Sequence, residues 1–261
     1  MAVIENEQEK GKVFLNKMSA GERQLASAIR MYFLEEDALA VHTISSAAHN
    51  ILADLLQARG KDASVHGSMY GLLRLARDFH EGQISEGDIR KMGDGAIDVA
   101  QDLQHLFGND QDFNVEEIAT SAPPEHRRAY WAEMRRSYNY LKHADRDANE
   151  LLDEASINNE DTILSAIVCS QHLNMKHTAE KHFFYCAMIS LGRIEGGGER
   201  PLDLELLMSG LSQAEIFSLG RKNLCGVVLD GDDVLLERAA HQIRENSESC
   251  AGKDVRFFDV T

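Results

Sequence analysis

Apolar side chains recur at helical spacing along most of this chain, and only three prolines interrupt it in 261 residues. A proline inside a helix removes a hydrogen bond and clashes with the preceding turn. Two of the three, Pro123 and Pro124, are adjacent, and the third, Pro201, follows the glycine run Gly196–Gly198. Long stretches are therefore free to be helical from end to end.

Start and stop signals divide the helical pattern. Ser19 followed by Glu22 has capping-box spacing, and Leu25, Ala28, Ile29, Tyr32 and Phe33 then form one apolar face. Asp37 is placed to cap a helix over 38–59, closed by Gly60. Ser45, Ser46, Ala47 and Ala48 keep that helix slim, which predicts a central position. Further helices are expected over 69–79, from 85 to about 107 with interruptions at Gly93 and Gly95, over 124–142, from 159 through His172, from Thr178 to Gly192, over 202–218 and over 232–245. Leu224–Leu229 has strand composition but no evident partner. The expected fold is an all-α helical bundle of roughly eight to ten helices. Its parts are an arm at 1–11, a main helical domain at 12–195, a helical extension packed on it at 196–246 and a tail at 247–261.

A formal net charge of −16 disfavours diffuse binding to nucleic acid or anionic membrane, although a local basic groove is compatible with it. No run approaches the roughly 20 apolar residues that span a bilayer, so no membrane association is expected. Cys169, Cys186, Cys225 and Cys250 are far apart and lack metal or redox spacing. Together with a polar N-terminus, this predicts a cytoplasmic protein.

Against that acidic background, Pro123–Asp147 stands out. It holds Tyr130, Trp131, Tyr138 and Tyr140, and six of the 27 Lys and Arg residues. On one helix, Arg136 and His143 lie within about 20° around the axis, and Asn139 lies about 60° from Arg136. Arg136, Asn139 and His143 thus form one polar face and are the candidate catalytic residues. Arginine stabilises a phosphodiester's charge, and histidine serves as acid or base near neutral pH. Lys142, Asp145 and Arg146 are candidate binding residues beside them. The competing reading is that the arginines pair with surplus carboxylates, while His143 or Lys142 sits at the helix's negative end. The Lys142–Asp147 segment matches no metal motif, and its aspartates suit a turn.

Two further groups carry potential chemistry. His42, Ser46 and His49 share a helical face and can line a cavity, or they can be core histidines with local partners. His182 and Cys186 are one helical turn apart, with His172 and His177 nearby. They form one edge of a possible zinc site or a buried cysteine beside an interfacial histidine. Neither a GxSxG motif nor a P-loop occurs, and no cofactor is expected.

Glu22–Leu25 with Ala28–Arg30, Glu36–Asp37 with Val41–Thr43, and Asn139–Asp147 resemble a family of uncharacterised bacterial proteins. The resemblance reaches from the N-terminal region to about Glu150 and brings no activity with it. More distantly, the arginine and histidine near a helix end resemble the HEPN superfamily. Its members are helical bundles, often dimeric, and many are ribonucleases. Their motif is an arginine, four to six residues, then a histidine; here six residues separate Arg136 from His143. Ser137 supplies the polar residue after the arginine, and Tyr138 stands where the commonest form has the arginine itself. The resemblance implies an HEPN-like core, a homodimer, and a metal-independent ribonuclease or RNA-binding face at Arg136, Asn139 and His143. The alternative is a non-enzymatic helical module that binds a protein partner or acts as a sensor.

Overall fold

Asn16 fixes where the first helix begins. Its side-chain oxygen accepts a hydrogen bond from the Ser19 amide at 2.8 Å, so α1 spans Lys17–Phe33. The helix cap thus lies three residues before the one expected at Ser19, because asparagine caps as well as serine does. The computed structural model describes residues 15–61, 69–91, 96–104, 128, 132, 135–143, 149, 151–194 and 203–250. The arm at 1–11, the Gly196–Pro201 linker, Pro123, Pro124 and the end of the tail lie outside them.

Asp37 caps α2 (Ala38–Gln57) by accepting from the Leu39 and Ala40 amides. The chain leaves α2 through Gly60 at φ 78°, a left-handed conformation that glycine adopts without a side-chain clash. Next come α3 (Met69–His80), α4 (Glu86–Arg90) and α5 (Ala96–Gln104). The stretch expected to be helical from 85 to about 107, with interruptions at Gly93 and Gly95, holds α4 and α5, and residues 92–95 between them lie outside the described residues. Helix α6 is Arg136–Lys142, α7 is Asn159–His172 and α8 is Ala179–Ser190. Asn158 and Thr178 cap the last two. The C-terminal part holds α9 (Asp203–Met208), α10 (Gln213–Gly220) and α11 (Asp232–Cys250). A capping box between Ser212 and Glu215 starts α10, so the helix expected over 202–218 is broken at Ser209–Leu211.

The fold is an all-α bundle, and the described residues contain no strand. Leu224–Leu229, with its strand-like composition, instead begins in a single π-helical turn, Arg221–Cys225, that ends at Gly226. Burial of Arg221 against Asp232 holds the chain there.

Helix α2 is central as expected, packing against α1, α6 and α7. The main core joins α1, α2, α7, α8, α10 and α11. At its centre, Phe33 meets Phe183, Phe184 and Phe217 edge-on, with ring centroids 5.1, 6.0 and 5.4 Å away. A second, smaller core is made by α3, α4 and α5 around Ile89, Ile97 and Leu103. Helix α3 carries this second unit against α7. No described helix is long and apolar enough to cross a membrane.

Candidate functional site

Asn159, the first residue of α7, orients a histidine on α2. Its side-chain amide donates to the Ala38 carbonyl at 3.0 Å, which turns its oxygen toward His42. His42 Nδ1 lies 3.2 Å from that oxygen and so donates to it. The other ring nitrogen, Nε2, therefore keeps its lone pair when the imidazole is neutral. Ser46, one turn further along α2, places its hydroxyl 3.4 Å from Nε2 and donates to it. Burial lowers the pKa of His42, partly offset by the bond to Asn159, so the neutral ring is favoured near pH 7.

Of these three residues, His42 and Ser46 form part of the wall of a cleft of about 560 Å³. His42, Ser46 and His49 line one side, from α2. Arg135, Arg136, Ser137 and Tyr138 line another, and the first turns of α7 contribute Asp161, Thr162 and Ser165. Lys91, from the edge of the second core, also reaches the cleft, and the 88% exposed Leu151 stands at its rim. Three cations, Lys91, Arg135 and Arg136, thus face two carboxylates, Asp153 and Asp161. Asp153 accepts from the Ala155 amide, and Asp161 accepts from the Asn158 side chain at 2.6 Å. Both carboxylates therefore also serve the local backbone and caps.

His49 has no such partner. Its Nε2 is sealed from solvent without a hydrogen bond. Burial, with a smaller contribution from the Arg135 charge, pushes its pKa down to about 4. A buried polar atom left unpaired is costly to the folded state.

Of the residues singled out on the 124–142 segment, Arg136 and Asn139 lie within α6 and His143 is its C-cap. Arg128 and Ala132 are helical, but Arg135 is a turn residue with φ −99° and ψ 3°, and α6 begins after it. His143 has left the helix, with φ −125° and ψ 64°, and only its backbone N–H continues the ladder, to Asn139. The angular argument covers Arg136 and Asn139 within α6 and ends at His143. Arg136 lines the cleft, whereas Asn139 and His143 do not. Lys142, which does not line the cleft, holds its ammonium 5.6 Å over the ring of Tyr138, which does. Asp145 and Arg146 lie outside the described residues.

The second histidine group runs from the exposed His177 through the half-buried His182 to the buried Cys186. His182 Nδ1 is 3.3 Å from His177 Nε2, and its Nε2 is 4.0 Å from the Cys186 sulfur. Among the described residues no group of three or more His, Cys, Asp or Glu side chains is arranged to hold a metal ion. Cys169 is buried near Arg135, and burial raises its thiol to about 12, so it stays protonated.

The sequence signalled His42, Ser46 and His49 through their helical spacing. It gave no sign of Asn159, which reads only as a helix start, nor of Lys91. No protein-family model, curated protein or solved structure matches the chain.

Proposed function

We propose that the protein binds RNA, taking a phosphate into the cleft beside Arg135 and Arg136 and laying the strand along α6. The observation that carries this reading is the meeting of Arg136 with Arg135 and Lys91 around one cleft, in a chain of net charge −16. Local positive charge is what a phosphate backbone rewards, and an aromatic ring in the same wall, Tyr138, offers a base a stacking surface. A volume of about 560 Å³ suits a nucleotide-sized ligand. In this reading Asn139, Lys142 and His143 meet the strand outside the cleft, and Asp145 and Arg146 extend that contact. An HEPN-like dimer in the cytoplasm belongs to the same reading, and sedimentation velocity measures the dimer.

Fluorescence anisotropy with a labelled single-stranded RNA tests it. Arg136→Ala should weaken binding about 10-fold, since a bond to a charged group contributes roughly 1.5 kcal/mol or more. Binding should also weaken steeply with salt. A wild-type protein that leaves the RNA unbound at low salt retires the reading. RNA bound but left uncut by wild type, with His143→Ala behaving identically, retires ribonuclease action at Arg136 and His143 while leaving binding intact.

A non-enzymatic interaction module is the second reading. Val228, Leu229 and Val234 are about half exposed around the start of α11, an apolar group that a protein partner can cover. Stoichiometric recovery of one protein without RNA favours it.

A further inference from the structure

Serine is a weak nucleophile unless a base takes its proton, and a base serves only if its ring is held in the correct tautomer. Both requirements are met at one point in this molecule. The Asn159 amide is fixed by Ala38 O, His42 Nδ1–H is fixed by Asn159, and the lone pair of His42 Nε2 receives the Ser46 hydroxyl. Ser46 and His42 are both in the cleft wall, and both side chains are otherwise buried. The 3.4 Å separation is at the long end of the range, as nucleophile–base contacts often are before substrate binds. A serine serving only its own helix bonds a backbone carbonyl of the preceding turn. Ser45 does this, donating to His42 O, whereas Ser46 faces the imidazole.

We propose that Ser46 is a nucleophile, with His42 as its general base and Asn159 as the positioning residue, and that it accepts the phosphoryl group of a phosphate monoester held in the cleft. This rests on the reading that the cleft takes a phosphate. The Ser46 oxygen forms a bond to phosphorus as the ester P–O bond breaks. The Ser46 proton passes to His42 Nε2 and from there to the departing ester oxygen. Water then attacks phosphorus, His42 takes its proton, the Ser46 O–P bond breaks, and the proton returns to Ser46. The net change is hydrolysis of the monoester to an alcohol and inorganic phosphate. Arg135, Arg136 and Lys91 oppose the charge on the equatorial oxygens.

Two sources carry a phosphate monoester, the end of an RNA strand and a free nucleotide. A biotinylated fluorophosphonate tests the nucleophile without prior choice between them. Its phosphorus bonds to an activated serine oxygen and releases fluoride. Peptide mapping of the full chain should find the label on Ser46. Ser46→Ala, a change that favours the helix, should abolish it. His42→Gln should slow it by about 100-fold, the lower end for loss of a general base. Labelling should speed up with pH as His42 loses its proton. The charged and titratable groups facing His42 around the cleft are His49, Lys91, Arg135, Arg136, Asp153 and Asp161. Repeating the profile in His49→Gln removes the other imidazole of the cleft wall. Asn159→Asp should move the midpoint to higher pH, because a carboxylate stabilises the imidazolium; a merely structural role for Asn159 leaves the midpoint in place.

Phosphate release is then measured from a 5′-phosphorylated RNA oligonucleotide and from a nucleoside monophosphate. Release from one substrate and not the other assigns the source. RNA binding with neither Ser46 labelling nor phosphate release overturns this inference and leaves the RNA reading standing. Labelling at Ser46 with release from the nucleotide alone, and no RNA binding, does the reverse. Labelling that persists unchanged in His42→Gln also overturns the inference.

Discussion

At the scale of single residues, the cleft is defined by how differently two histidines on one helix are treated. His42 has both ring nitrogens engaged, while His49 has a buried Nε2 with no bond at all. Burial holds His49 neutral down to about pH 4, whereas an unfolded chain protonates it near 6.5. Between those values the unfolded state binds more protons than the native state. Native stability should therefore fall as pH drops from 6.5 to 4, by up to about 3 kcal/mol from this residue. Chemical denaturation across that range, compared with His49→Gln, checks it; identical slopes in the two proteins would remove the claim. Asn159 illustrates the opposite case of legibility. An asparagine at a helix start has an ordinary local reason to be there, and its second task depends on Ala38 and His42, more than a hundred positions away.

At the scale of elements, close packing and buried charge explain why the C-terminal helices sit where they do. A side chain on Gly220 would place its first carbon 2.6 Å from the Phe33 ring. That ring has no room to retreat, because Phe183, Phe184 and Phe217 surround it. Gly220→Ala should therefore destabilise by about 2 kcal/mol through overpacking, although alanine is the better helix former. Thermal denaturation measures this, and a neutral or stabilising result would mean that α10 shifts away from α1 freely. The π-helical turn after Gly220 brings the Arg221 guanidinium to Asp232 at 2.7 and 3.1 Å and to Glu35 at 2.8 Å. Asp232 also accepts from Ser218 and from the Leu229 amide, and these partners, the Arg221 side chain first, hold its carboxyl well below the usual carboxylate range. Its contribution is present above about pH 4, the unfolded value, and is lost as pH falls below that toward the depressed native one. Arg221→Ala leaves a buried carboxylate without its cation and should cost about 3 kcal/mol.

At the scale of the whole molecule, two apolar cores of unequal size meet on α7. The larger includes helices from both ends of the described chain, α1 and α11 among them. The smaller gathers local helices between residues 75 and 103. A small core has less to lose on opening. Backbone amides of α5 should therefore exchange with solvent at least about 10-fold faster than those of α1 in native-state hydrogen exchange. Equal protection would show that the two cores open as one unit. Because Lys91 belongs to the smaller unit and the histidines to the larger, the cleft's charge balance depends on that docking. The all-α class was legible from proline scarcity and apolar periodicity, and α2 was legible as central from its small side chains. The break at Arg135 was not, since nothing in its residue type opposes a helix.

Local chemistry determined what local chemistry can determine. Capping side chains at Asp37 and Thr178, the left-handed glycine at position 60 and the repeat of apolar residues set most of the helices and their buried faces, because those preferences act within one or two turns. The grouping of Arg135, Arg136 and Lys91 around His42, Ser46 and His49 was decided only when α2, α6, α7 and the second core packed together. A sequence states spacing along the chain, and the proton-bearing nitrogen of His42 is set by an amide brought to it through space.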